Sequence, residues 1–171
     1  NFQVDEYGVR RGITRYGQWY GNPYGDWSAM FASFCLHYAG ANEVPMNAGP
    51  ESMRLEWEAG GLYLEASKVE TPEAGDLLFL HRGDSDIVGA NSIAIITQVD
   101  DTSITVIEGD INGSVAEAYY TRDSQMILGY GIVPPMASLT VIEQPSVKAP
   151  SCTIWLDGTD GGLGLLSGSP N

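Results

Sequence analysis

From Arg15 to Gly40 the chain reads R-Y-G-Q-W-Y-G-N-P-Y-G-D-W-S-A-M-F-A-S-F-C-L-H-Y-A-G, an aromatic, glycine-rich loop running straight into an apolar helix, with Ser28 at the junction. A side chain there meets free backbone N–H groups and the positive end of the helix dipole, the setting that stabilises an anionic nucleophile. A serine hydroxyl is not appreciably ionised at neutral pH and attacks only when a neighbouring base takes its proton. The chain holds two histidines. His37 lies nine positions further along the same helix, roughly 13 Å along its axis and out of hydrogen-bond reach. His81 ends an apolar strand and reaches Ser28 only if the polar segment from His81 to Asn91 folds back. Both read as surface or edge imidazoles.

The other chemistry-bearing residues carry plainer readings. Cys35 lies mid-helix on an apolar face and reads as a small buried hydrophobe, while Cys152 sits far off in a Pro/Ser-rich stretch. Their spacing matches no metal pattern, and a bridge between them is the lesser reading. Asp84 with Asp86, and Asp157 with Asp160, lack the multi-ligand spacing of a calcium loop, so no metal and no cofactor is expected. Arg82-Gly83-Asp84-Ser85 matches an adhesion tripeptide, a pattern short enough to recur by chance. The net charge of −14 excludes nucleic acid as an expected partner, because counterion release needs clustered Lys and Arg and the eight basic residues are scattered. No apolar run approaches the roughly 20 residues that span a bilayer. There is no secretory signal, and Asn1 in place of Met reads as a mature or excised start.

The elements that must position these residues follow from periodicity. Asp26 is a good N-cap and Gly40 a good C′ residue, which predicts a helix over about 27–39. Trp27, Phe31, Phe34, Cys35 and Tyr38 are spaced as one buried stripe of it. A second helix is expected from Pro50 to just before Gly60-Gly61. The period then drops to two. A turn over 71–76 leads to strands over 77–80, 92–99, 104–108, 115–122 and 126–133, with Asn112-Gly113 as a hairpin turn. Helices followed by a meander of about five strands predict an α+β fold on an antiparallel sheet. From about Met136 the composition turns to prolines and then glycines, so 1–135 is expected as one domain. Residues 136–171 are expected as a linker and glycine-rich tail, or the start of a following module cut off by the chain end.

Five segments make the pattern more specific. The loop–helix G-N-P-Y-G-D-W-S-A-M-F, the turn P-E-A-G-D-L-L-F, the strands N-S-I-A-I-I-T-Q-V and I-T-V-I-E-G-D, and the closing G-Y-G-I-V-P occur in that order between about Arg10 and Pro135. Together they resemble the CHAP family of papain-like cysteine amidases and peptidases that cut bacterial peptidoglycan. The resemblance implies a papain-like fold and three catalytic positions. The thiolate position is Ser28. The imidazole position is Ser92, where the family pattern is similar but begins with His. The orienting position is Glu108, which is retained. Tyr24, Asp26 and Trp27 would line the ligand cleft within an aromatic cluster that also includes Tyr16, Trp19 and Tyr20. Asp110 would join them, standing where the family often has an amide.

With nucleophile and base both replaced, triad logic removes about four to six orders of magnitude in rate. The sequence is therefore expected to encode a pseudoenzyme module of a secreted or cell-surface bacterial protein, binding peptidoglycan, its peptides or a surface protein. The competing reading is a peptidoglycan amidase or endopeptidase whose cysteine was replaced by Ser28; Ser92 argues against it, since silencing needs only one substitution. A third reading, adhesion through Arg82–Ser85, belongs to a different class.

Overall fold

A computed structural model describes residues 2–4, 10–68, 72–83 and 88–135. The chain falls into two compact units, Asn1–Ala137 and Ser138–Asn171; the second, with Cys152 and the glycine-rich segment, lies outside the described residues. In the first unit, β1 (Phe2–Val4) pairs antiparallel with β2 (Arg10–Gly12). Three helices follow: α1 (Arg15–Tyr20), α2 (Ser28–Ala39) and α3 (Pro50–Ala59). Then come β3 (Tyr63–Glu65), a 3-10 turn over Ala66–Lys68, β4 (Leu77–Leu80), β5 (Ser92–Val99), β6 (Ser103–Ile111), β7 (Ser114–Thr121) and β8 (Ile127–Gly131). The last six strands form one antiparallel sheet in the order β3-β8-β4-β5-β6-β7. The α+β class expected from the sequence is what the chain adopts, with six strands in the main sheet rather than about five.

Alternation along the strands gives the sheet two apolar faces. Leu77, Phe79 and Ile93 pack with Ala29, Ala32 and Leu36 of α2 and with Met53 and Trp57 of α3. Leu78, Leu80, Ala94, Ile96, Ile104, Val106, Tyr120, Ile127 and Tyr130 form a second core. That second core draws on no α-helix among the described residues, and Ala66 of the 3-10 turn packs against it. Register shifts between Phe79 and Leu80, between Ile96 and Gln98, and between Glu108 and Ile111 interrupt the regular pairing.

Two expectations for α2 change. Its N-cap is Trp27 rather than Asp26, without a side-chain cap; the Trp27 N–H instead donates to Asp110 Oδ2 at 3.2 Å. A tertiary bond thus does what a local cap was expected to do. The expected stripe holds in its first part, with Trp27 and Phe31 buried and Phe34 and Cys35 half-buried, but fails at Tyr38, which is 66% exposed, and residues 28–33 are buried all round. Small Ala29 and Ala32 let the helix lie close on the sheet, while Trp27 and Phe31 stand over Gly109 and also meet Tyr16 of α1. Tyr16 stacks on Trp27 with centroids 5.1 Å apart, and Trp19 meets Phe34 edge-on at 5.6 Å. Gly40 ends the helix in the left-handed region at φ 86°, as expected.

Candidate functional site

Ser28 begins α2 and is buried together with its neighbours Trp27 and Ala29. Its hydroxyl takes no hydrogen-bond partner among the described residues, and no buried side-chain polar atom among them lacks one, so Ser28 Oγ touches solvent. The helix start is fixed to the sheet from two sides. At the bulge after Glu108, Asp110 adopts φ 66° and its carboxylate turns to accept the Trp27 N–H. A non-glycine residue held there marks a backbone that its surroundings over-determine. The neighbouring Gly109 lies so close under α2 that a Cβ on it would stand 2.5 Å from Phe31 Cβ and 2.9 Å from the Trp27 ring.

Glu108 lies on the same strand, β6, paired across to Ala94 and fully buried at 0% exposure. A carboxylate removed from water in this way demands compensation, and one partner alone rarely supplies it. Three residues do so here. Arg82 Nη2 donates to Glu108 Oε1 at 2.5 Å, the Tyr120 hydroxyl donates to the same oxygen at 2.7 Å, and Ser92 Oγ donates to Oε2 at 3.2 Å. Arg82 Nη2 also donates to the Tyr120 oxygen, closing a three-membered ring of bonds. Burial and the neighbouring Glu108 carboxylate together push the Tyr120 phenol up to about 12, with Arg82 pulling the other way. The phenol therefore stays protonated and serves as a donor.

Of the three positions expected from the sequence, the structure brings Ser92 and Glu108 together in a hydrogen bond, and no imidazole lies between them. His81 Nδ1 lies 2.7 Å from the Gly89 carbonyl, a contact that requires the proton on Nδ1. His37 is exposed, its ring 5.3 Å from that of Trp19 and 5.1 Å from that of Tyr38. Neither histidine hydrogen-bonds Ser28. Of the cleft residues, Trp27 is buried beneath Tyr16, Tyr24 is half-buried and Asp26 is exposed. Among the described residues no group of His, Cys, Asp and Glu could hold a metal ion, and no helix is long and apolar enough to cross a membrane.

Arg82 is the functional candidate that the sequence reading missed, because the tripeptide pattern made it look like part of an exposed loop. Its guanidinium is turned onto Glu108 instead, while Asp84 and Ser85 lie outside the described residues. One clue was available: a glutamate in an otherwise apolar strand needs a cation, and few basic residues exist to supply it. Arg82 and the residues just before β5 are held at their backbone. Asn91 Oδ1 accepts from the Arg82 N–H at 2.7 Å, and Asn91 Nδ2 donates to the Arg82 carbonyl at 2.8 Å. From α3, Glu51 Oε2 accepts the Ala90 N–H at 2.6 Å, and Arg54 grips the same carboxylate through two nitrogens. The hydrogen bond from Arg54 holds the Glu51 carboxyl below the usual range despite its partial burial.

Cys35 is a free thiol, half-buried, and burial pushes its pKa up, which disfavours the thiolate. It lines a groove of about 360 Å³ with Leu36, Ala41, Ile95 and Val133, apart from the Glu108 cluster.

No family model and no curated protein matches the chain. Among solved structures, it is similar to the crystal structure of Ly7917 (TM-score 0.35, 23% identity) and to that of Ly7917 with the hydrolyzing product of MDP (TM-score 0.35, 22% identity). Each match covers 46% of this chain and 34% of the other, so the matched part spans about a third of that protein's length.

Proposed function

We propose that the first unit is a catalytically silent CHAP-type module of a secreted or cell-surface bacterial protein, which keeps a hydrolase cleft and uses it to bind cell-wall peptides. The observation that carries this reading is the occupancy of Glu108. Both of its oxygens accept hydrogen bonds, from Arg82, Tyr120 and Ser92, and none comes from a ring nitrogen. A carboxylate in a triad acts by orienting an imidazole, and here it neutralises a guanidinium. Ser28, with no base bonded to it, has nothing to take its proton. The five-segment resemblance to the CHAP pattern supports the choice of ligand class.

The test compares binding with lysis. Purified cell walls should show no loss of turbidity with the unmodified protein or with Ser28→Cys, while muropeptides release measurable heat on binding in calorimetry. Lysis by the single variant Ser28→Cys would overturn the reading in favour of an amidase or endopeptidase that had lost only its thiol. Absence of heat with every muropeptide would remove the binding role.

A further inference from the structure

Among the described residues the main sheet has two outer strands, β3 and β7, and they are protected very differently. β3 is three residues long and runs straight into the 3-10 turn. β7 runs for eight residues, Ser114–Thr121, with no proline, no lysine and a single charge at Glu117. Its irregularity against β6 falls between Glu108 and Ile111, so the pairing from Ala116 to Thr121 is regular. Val115, Glu117, Tyr119 and Thr121 are exposed along one face, Tyr119 to 68%. Shortness, prolines, lysines and bulges are the usual means of keeping a sheet edge from pairing with another chain. From Ala116 to Thr121 the edge carries none of them.

Register shows which backbone groups this edge offers. The Arg122 N–H donates to the Thr102 carbonyl at 3.0 Å, which makes Arg122–Thr102 a hydrogen-bonded pair of the β6–β7 ladder. Alternation then gives Tyr120–Ile104, Ala118–Val106 and Ala116–Glu108 the bonds to β6, and turns the N–H and C=O of Glu117 and Tyr119 outward. None of these four backbone groups has a partner among the described residues. Side chains alternate as well: Ala118 and Tyr120 face the second core, while Glu117 and Tyr119 stand on the opposite face, the Tyr119 hydroxyl donating to the Glu117 carboxylate.

We propose that β7 is a self-association edge, on which a second copy of this chain pairs its own β7 antiparallel about a two-fold axis at Ala118. Such a contact needs a self-complementary strip, and the registers open to β7 differ in this respect. An axis at Glu117 sets that carboxylate opposite its own copy. An axis at Tyr119 leaves Glu117 opposite Thr121, whose carbonyl already accepts the Ser124 N–H at 3.0 Å. An axis at Ala116 leaves Tyr119 opposite Gly113, beyond the strand. The axis at Ala118 sets Glu117 opposite Tyr119 in both halves, which closes the outward backbone bonds of each and puts a phenol donor across from each carboxylate. Ala118 then meets its own copy, Ala116 meets Tyr120 and Arg122 meets Ser114, so no like charges are opposed.

A contact of this size belongs with the weak interfaces, and two copies of net charge −14 repel each other. Association should therefore strengthen as salt screens the repulsion, the reverse of an ion-paired interface. The pairing does not depend on what the cleft at Ser28 binds.

Sedimentation equilibrium of the full chain from about 1 µM to about 1 mM tests this, a range that brackets weak association. In about 150 mM salt the average mass should climb from monomer toward dimer, and at about 10 mM salt the association constant should be at least about tenfold lower. Tyr119→Pro removes an outward N–H and no bond to β6, a change that edge strands accept; it should keep the thermal transition and lose the association. Ala118→Cys, made together with Cys35→Ser and Cys152→Ser, should oxidise to a covalent dimer, because the residue on the axis faces its copy in a close, non-hydrogen-bonded pair. Val115→Cys in the same background should not, its copies lying roughly 20 Å apart along the strands. Monomer throughout, at about 1 mM in either salt, overturns the proposal and leaves the edge to a strand of another protein. Undiminished association of Tyr119→Pro, or cross-linking no greater in Ala118→Cys than in Val115→Cys, overturns it too. If Tyr119→Pro fails to fold, the two cysteine variants decide.

Discussion

At the scale of single residues, the Glu108 cluster makes an asymmetric prediction. Arg82→Met leaves a fully buried carboxylate beside one phenol and one hydroxyl, and loss of a partner from a buried pair costs about 3–5 kcal/mol. Glu108→Gln leaves a guanidinium that is 33% exposed and can turn to water, so its cost should be smaller, about 1–3 kcal/mol. Chemical denaturation of the two variants checks the order; equal costs would mean that Arg82 is less accessible than it looks. Tyr120→Phe removes one charge-assisted donor and should cost about 1.5–3 kcal/mol. It should also alter the alkaline limb of the stability curve. The folded phenol titrates at about 12, above the value of about 10 in the unfolded chain, so the folded state holds the proton longer. That stabilisation is complete below pH 10 and is lost as pH rises toward 12. In Tyr120→Phe the loss between these values should shrink, which a pH series of melting temperatures measures.

Elements meet most tightly where β6 passes under the start of α2. A methyl group at Gly109 would stand 2.5 Å from Phe31 Cβ, and both the helix and the strand are anchored, so neither yields cheaply. Gly109→Ala should therefore destabilise by roughly 1–3 kcal/mol, as overpacked cores do, and should perturb the near-ultraviolet signal of Trp27. Unchanged stability would show that α2 can ride outward. This contact also shows which elements the sequence could reveal. Pro50, Gly40 and Asn112-Gly113 are local punctuation, and the helices and the β6–β7 hairpin they bound fall where expected, as do β4 and β5. The short elements were hidden. The sequence of α1 reads as a loop because Gly17 interrupts it, yet a Cβ there would stand 2.5 Å from the Asn22 carbonyl oxygen, so the glycine answers to the returning chain and not to helix propensity. Strands β1, β2 and β3 are three residues each, too short for alternation to register. In the candidate site, Ser92 and Glu108 were legible from their strands. Arg82 was not, because its role depends on a cross-strand neighbour that no local pattern announces.

For the molecule as a whole, charge is the dominant long-range term. A net charge of −14 spread over a small protein repels itself, and the effect falls as salt shortens the screening length. Between about 10 mM and about 150 mM salt that length drops from about 30 Å to about 8 Å. Opposing this, exposed ion pairs such as Lys68–Glu65 weaken in salt, but each is worth roughly 0–1 kcal/mol and only a few are present among the described residues. Repulsion should win. The melting temperature is expected to rise by roughly 2–4 °C over this range, corresponding to about 1 kcal/mol for a chain of this size. The Glu108–Arg82 pair, with its acid sealed from solvent, should contribute almost nothing to that slope, so Arg82→Lys should melt with the same salt dependence as the parent.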